Sequence, residues 1–312
     1  TLLSGGEGQA GEHGGHSVLG GRQISQEVPS HPMISETPTE GHFLHDGLRL
    51  HYVEWGESEK PPLVLLHGLR DCARSWDVFS LAMQAEYRVI ALDSRGHGES
   101  GWGGNGAYHF ESYVSDIGAL VGHLDLKHID LVGHSAGGRY AWAFAVEHPE
   151  SVNSMVVVDI DPDPVNPQTN RDFEAYRAEP KVWDSMDAVL EKLRARQPLT
   201  TEDMLEFQAE QLTRPRGEKG RIWKSDPLVM DEYERPDLWE SWGRITTPTL
   251  ILRGRQSALL THDTAVRMQE VHARSLVKLA ELEGGGHWFY QDFPGAFEAA
   301  VLWFLNSLQN EE

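Results

Sequence analysis

Six short stretches of this chain are apolar almost without interruption: Leu63–Leu66, Val89–Leu92, Ile129–Val132, Met155–Val158, Thr249–Leu252 and Val277–Leu279. A strand with one wet face alternates apolar and polar residues, so a run that does not alternate needs cover on both faces. Helical patterns lie between the runs. Phe110, Val114, Ile117, Leu120, Val121 and Leu124 recur at three- and four-residue spacing, and so do Phe297, Val301, Phe304 and Leu308. Strand and helix in alternation predict an α/β fold with a mostly parallel, doubly wound sheet. Upstream, Phe43-Leu44 and Leu48 to Val53 flank His45-Asp46-Gly47, a hairpin signal.

The alternation breaks between residues 163 and 243. Met186, Val189, Leu190 and Leu193 follow a helical period there, no buried-strand run is evident, and Pro162, Pro164, Pro167 and Pro236 mark the ends. The segment reads as a helical cap inserted into a core formed by residues 41–162 and 244–312. Residues 1–40, rich in Gly, Ser, His, Glu and Pro, lack a hydrophobic period and read as a flexible tail. A formal charge of −21 over 312 residues argues against nucleic acid or an anionic membrane as partner. Cys72 is the only cysteine, which excludes an intrachain disulfide. With no apolar stretch near the roughly 20 residues of a membrane helix, and no signal-peptide pattern, the expectation is a cytoplasmic protein. Self-association as a homodimer is left open.

Gly133-His134-Ser135-Ala136-Gly137 follows one apolar run and precedes a helical stretch, Arg139 to His148. This is Gly-x-Ser-x-Gly in a strand–turn–helix context, a turn that lifts a serine hydroxyl above a sheet as a nucleophile. Three further landmarks stand in order along the chain: His67-Gly68, Asp93-Ser94-Arg95-Gly96-His97-Gly98-Glu99-Ser100, and Gly286-His287. Together with the serine turn they resemble the α/β-hydrolase superfamily, from about residue 43 to the C-terminus.

That resemblance implies roles. His287, on a glycine-bearing loop after the last strand, would be the general base that Ser135 needs. The backbone N–H groups of Leu69 and Ala136 would hold the oxyanion, while His67, Arg95 and His97 would brace loops. Many members carry the triad acid after the family's seventh strand, at Gly-x-x-Asp. Here Ser257 stands at that place, and serine supplies no negative charge. The alternative place, after the sixth strand, offers Asp159 in Val158-Asp159-Ile160-Asp161-Pro162. Asp159 is the expected acid, with Asp161 and then Asp263 as alternatives.

The chemistry implied is acyl transfer to water, with no metal and no organic cofactor. Twelve of the 27 basic residues fall in residues 163–243, which suggests a small carboxylate-bearing substrate gripped by guanidinium groups. Arg70, Arg171, Arg177, Arg196 and Trp288 are the candidate substrate contacts. The triad spacing and the arginine-bearing cap are also similar to the 2-(acetamidomethylene)succinate hydrolases of vitamin B6 degradation. That likeness implies cleavage of an enamide to acetate, ammonia, carbon dioxide and succinate semialdehyde. A general carboxylesterase and a non-enzymatic ligand-binding receptor of the same fold are the rival readings.

Overall fold

The computed structural model describes residues 16–19, 22–25, 36–273 and 276–309. In chain order the strands are β1 (His16–Leu19), β2 (Arg22–Ser25), β3 (Thr39–His45), β4 (Leu48–Trp55), β5 (Pro62–Leu66), β6 (Arg88–Asp93), β7 (Ile129–His134) and β8 (Val152–Val158). They continue as β9 (Thr213–Arg216), β10 (Gly220–Trp223), β11 (Thr249–Gly254) and β12 (Val277–Leu282). Ten of them form one sheet in the order β2-β1-β12-β11-β8-β7-β5-β6-β4-β3. From β6 to β12 all neighbours pair in parallel, and the flanking pairs are antiparallel.

The unbroken apolar runs have a direct cause. Val64 and Leu66 of β5 enter one core, with Trp142, Phe144 and Trp242, while Leu63 and Leu65 enter another, with Trp76, Phe79 and Phe297. Each face of the sheet carries helices. The first is covered by α2 (Phe110–His123) and α3 (Ala136–Glu147). The second is covered by α1 (Asp77–Met83) and, at the far end of the chain, Pro294–Gln309. Each fully buried Leu or Val contributes about 2 kcal/mol by leaving water, so neither face tolerates a polar alternation. At the hairpin, Asp46 (φ 49°) and Gly47 (φ 76°) supply the two positive φ angles of a tight β3–β4 turn.

Strands β6 and β7 lie on opposite sides of β5. The chain order therefore reverses at β5, and the chain leaves β5 and β7 toward opposite sides of the sheet, the arrangement that places a crevice at the carboxyl ends of such strands. Above that edge, between β8 and β11, sit α4 (Pro167–Arg177), α5 (Met186–Arg196), α6 (Glu202–Leu212), α7 (Leu228–Glu232) and α8 (Trp239–Gly243). Asn166 caps α4 by accepting from Gln168 N and Thr169 N, with Pro167 in the first turn; Ser185 caps α5. Val189, Leu190, Leu193, Leu205, Ala209 and Leu212 give this segment its own small core, which also takes in Cys72.

Two expectations need correcting. The inserted segment is not purely helical: β9 and β10 form an antiparallel hairpin. Four-residue strands with Arg and Pro show no apolar run, and Gly217 (φ 68°) makes the turn. The 1–40 segment is not wholly a tail. β1 and β2 pair with each other, Val18 registers with Glu281 of β12, and β3 begins at Thr39. An open sheet edge offers backbone partners whatever the hydrophobic pattern. The remainder of that segment up to residue 35 lies outside the described residues.

Candidate active site

The elbow is built on backbone strain and missing side chains. Ser135 has φ 54° and ψ −126°, a conformation that costs a non-glycine residue roughly 1–3 kcal/mol. Neighbouring bonds hold it there: Ser135 N donates to Val158 O at 2.9 Å, and Gly138 N to Ser135 O at 2.9 Å. A Cβ at Gly137 would lie 2.4 Å from Leu66 O, and one at Gly133 would lie 2.5 Å from Gly137 O. Glycine is the only residue that fits either place. Gly68, on the loop after β5, would bring a Cβ to 3.0 Å from Ser135 Cβ, so the two loops touch.

His287 follows β12 through Gly284, Gly285 and Gly286. Its Nδ1–H donates to Asp159 Oδ2 at 2.7 Å. That bond fixes the tautomer and leaves Nε2 as a bare acceptor. The His134 ring lies 4.5 Å from the His287 ring, and His134 Nε2–H donates to His287 O at 2.9 Å. Burial drives the His134 imidazole well below its usual range, so it stays neutral and serves as a brace. Asp159 is fully buried at the end of β8 and takes a second donor on the same oxygen, the Ser257 hydroxyl. Ser257 Oγ in turn accepts from Leu259 N at 3.1 Å.

The alternative acids are engaged elsewhere. Asp161 pairs with Arg235 (2.6 Å) and accepts from Asn166 (2.7 Å). Asp263 is exposed in the first turn of α9 (His262–Glu270). The loop residues act as braces. Arg95 binds both oxygens of Asp116 at 2.7 Å, His67 Nδ1 donates to Gly68 O, and His67 Nε2 accepts from Ser94 N.

Ser135, Leu69, Ala136 and His287 line one inner chamber, with Ile160, Asp172, Tyr233 and Arg235 among its other walls. Ala136 opens α3, where the first N–H groups have no acceptor within the helix and the dipole favours negative charge. An outer cavity of about 380 Å³ shares His287, Trp288, Asp172 and Tyr176 with the chamber and adds Arg196 and Lys192. The Arg196 guanidinium lies 5.2 Å above the Trp288 ring.

The other three arginines go elsewhere. Arg70 is drawn to Glu179 (2.7 Å), between the Tyr176 and Trp223 rings, and lines a separate cavity together with Arg177. Arg177 donates to Met230 O, and Arg171 donates to Gln168 on an exposed turn. An acid of the inserted segment claims Arg70, whereas Arg171 and Arg177 are held by neutral oxygens of Gln168 and Met230. Asp172, Tyr176, Tyr233 and Arg235 are among the chamber residues that escaped the sequence reading. Only the orientation of α4 and of the chain after α7 brings them to the chamber of Ser135, and no periodicity encodes that.

Residues 61–294 match the model of the alpha/beta hydrolase fold, and the chain belongs to that family. Among curated relatives, epoxide hydrolase 4 of Mus musculus is 28% identical over 294 residues, covering 83% of this chain and 77% of that protein. The 2-(acetamidomethylene)succinate hydrolase of Mesorhizobium japonicum is 25% identical over 272 residues, covering 85% and 96%. The crystal structure of an E-2-(acetamidomethylene)succinate hydrolase superposes with a TM-score of 0.79 at 24% identity, covering 86% of this chain and all of that one.

Proposed function

We propose that this chain is a serine hydrolase in which Ser135 is the nucleophile, His287 the general base and Asp159 the acid that orients it. The observation that carries the reading is the 2.7 Å His287–Asp159 bond, made beside a strained Ser135 on the same chamber. His287 Nε2 takes the hydroxyl proton as Ser135 Oγ attacks a carbonyl carbon, and Asp159 stabilises the imidazolium that results. The tetrahedral oxyanion is held by Leu69 N–H and Ala136 N–H, each worth a few kcal/mol. His287 then protonates the leaving group, and water repeats the sequence on the acyl-enzyme. Ser257 keeps the Asp159 carboxylate aimed. No step calls for a metal or an organic cofactor.

The substrate class we favour is a small carboxylate-bearing amide or ester, supported by Arg196 on the outer cavity. Its most specific form is the enamide 2-(acetamidomethylene)succinate, split with water to acetate, ammonia, carbon dioxide and succinate semialdehyde. The relative of that name, similar over 85% of this chain, supports it. The second reading is a general carboxylesterase, favoured by the mostly apolar walls of Leu69, Ile160, Phe173 and Leu259.

The test is acetate release from the enamide beside turnover of p-nitrophenyl acetate. Ser135→Ala should lower both by at least about 10⁴-fold. Turnover surviving that substitution would overturn the serine mechanism, and fast ester turnover without acetate release would favour the esterase.

A further inference from the structure

The space around the nucleophile is cramped, and the spaces beside it are not. The chamber measures about 40 Å³, against about 380 Å³ for the outer cavity and about 390 Å³ for the separate cavity lined by Arg70 and Arg177. The outer cavity meets the chamber through several shared walls, His287 and Trp288 among them. Among the described residues, the separate cavity meets the chamber through Tyr176 alone. One side chain near the end of α4 therefore stands between Ser135's chamber and a cavity with Trp102, Ile222, Trp223 and Met230 on its walls.

The Tyr176 ring is backed from the cavity side. Arg70, a wall of that cavity and not of the chamber, lies 4.6 Å from the Tyr176 ring centroid and 5.0 Å from that of Trp223. Glu179 holds Arg70 at 2.7 Å and is itself held by Lys192 (3.0 Å) and by Trp223 Nε1–H (2.9 Å). Arg70 has φ 59°, a region that a non-glycine residue seldom adopts, and it directly follows Leu69 of the chamber. The other charges of the cavity are spoken for or face water: Arg177 lies 3.8 Å from Asp231, Asp226 accepts from Tyr108 Oη at 2.6 Å, and Lys181 is exposed.

The general base has to protonate the leaving group. His287 lines the chamber and the outer cavity but not the separate one, so the leaving group belongs to the outer cavity and the acyl group has the chamber. We propose that Tyr176 is a specificity-determining residue: its ring closes the chamber against the aromatic-walled cavity and limits the acyl group on Ser135 to about the size of an acetyl. The inference rests on the serine hydrolase reading and adds which half of the substrate is kept short. Removing the ring joins the two spaces, and an aliphatic acyl chain can then leave water against Ile222, Trp223 and Met230.

The experiment compares kcat/KM for p-nitrophenyl octanoate and p-nitrophenyl acetate, which share a leaving group, in the wild type, Tyr176→Phe, Tyr176→Leu, Tyr176→Ala and Tyr176→Ala/Ile222→Trp. The wild type should favour acetate. Tyr176→Ala should raise the octanoate-to-acetate ratio at least about tenfold, Tyr176→Leu several-fold, and Tyr176→Phe, which keeps the ring, should leave it unchanged. Ile222→Trp refills the cavity and should reverse most of the gain. A wild type that takes octanoate as readily as acetate overturns the inference. So does a ratio unchanged in whichever of the alanine and leucine variants keeps a cooperative thermal transition, or a gain that Ile222→Trp leaves intact. If neither ester is turned over by any variant, the hydrolase reading itself fails and the inference with it, whereas turnover with an unchanged ratio removes the inference alone.

Discussion

The sheet edge and the segment inserted above it treat charge in different ways. At the edge, ionisable groups are buried and shared within the core: Asp159 with His287 and Ser257, Arg95 with Asp116, Asp93 with His51. In the inserted segment the ion pairs are local: Arg177–Asp231, Lys192–Glu179, Arg194–Glu202 and Arg221–Glu210 each join a basic residue to an acid of the same segment. A count of arginines therefore overstates the charge offered to a ligand. What matters is which side chains reach the chamber: Arg235 lines it with Ser135, and Arg196 lines the outer cavity that shares His287 and Trp288 with it.

That contrast can be broken by substitution. The largest effect is expected for Asp159→Asn, which keeps the shape but reverses the imidazole's hydrogen-bond logic. Its kcat should fall about 10³- to 10⁴-fold, against a loss at least a hundredfold smaller for Asp161→Asn, whose carboxylate serves Arg235 rather than His287. Equal losses would mean that the two carboxylates do not divide the work in this way. Ser257→Ala removes one donor to the Asp159 carboxylate and should cost about tenfold in kcat with KM unchanged, whereas Ser257→Thr should restore most of it. Parallel changes in kcat and KM would indicate a packing role instead.

Asp130, on β7, sharpens the stability side of the comparison. Burial holds its carboxyl at about 6, offset only by the Ser154 hydroxyl. A folded value above the unfolded one means that the ionised group opposes folding, so its penalty grows as pH rises through 6 and fades below about 4. Asp130→Asn should accordingly raise the melting temperature by about 3 °C at pH 8 and by little at pH 4.5. A gain of equal size at both pH values would point to packing rather than charge. The smallest effect belongs to the exposed pair. Arg194→Ala should leave the melting temperature unchanged within error, and a clear drop would show that the surface pairs of the inserted segment carry more stability than their exposure implies.

Much of the sheet was legible because burial on both faces leaves a local mark, and all six apolar runs fall within strands. The serine turn was legible for a related reason: its glycines are required by contacts a few residues away. Ser257 was readable as a missing acid but not as a partner of Asp159, since that contact joins residues 98 positions apart. Arg70 was misjudged because Glu179, 109 positions distant, claims it. The β9–β10 hairpin was hidden by its length and polarity. What the sequence conceals here is the pairing of polar groups across the inserted segment, which depends on orientation rather than on period.

Around Ser135 the floor of the chamber is made of main chain pressed against main chain, with no free volume at residues 133 and 137. Variation cannot enter there without dislodging the hydroxyl itself. Selectivity in such a molecule has to be written in the roof, where side chains can be exchanged one at a time. Grafting another roof between β8 and β11 would redirect the catalyst to new compounds while leaving its bond-breaking step as it was.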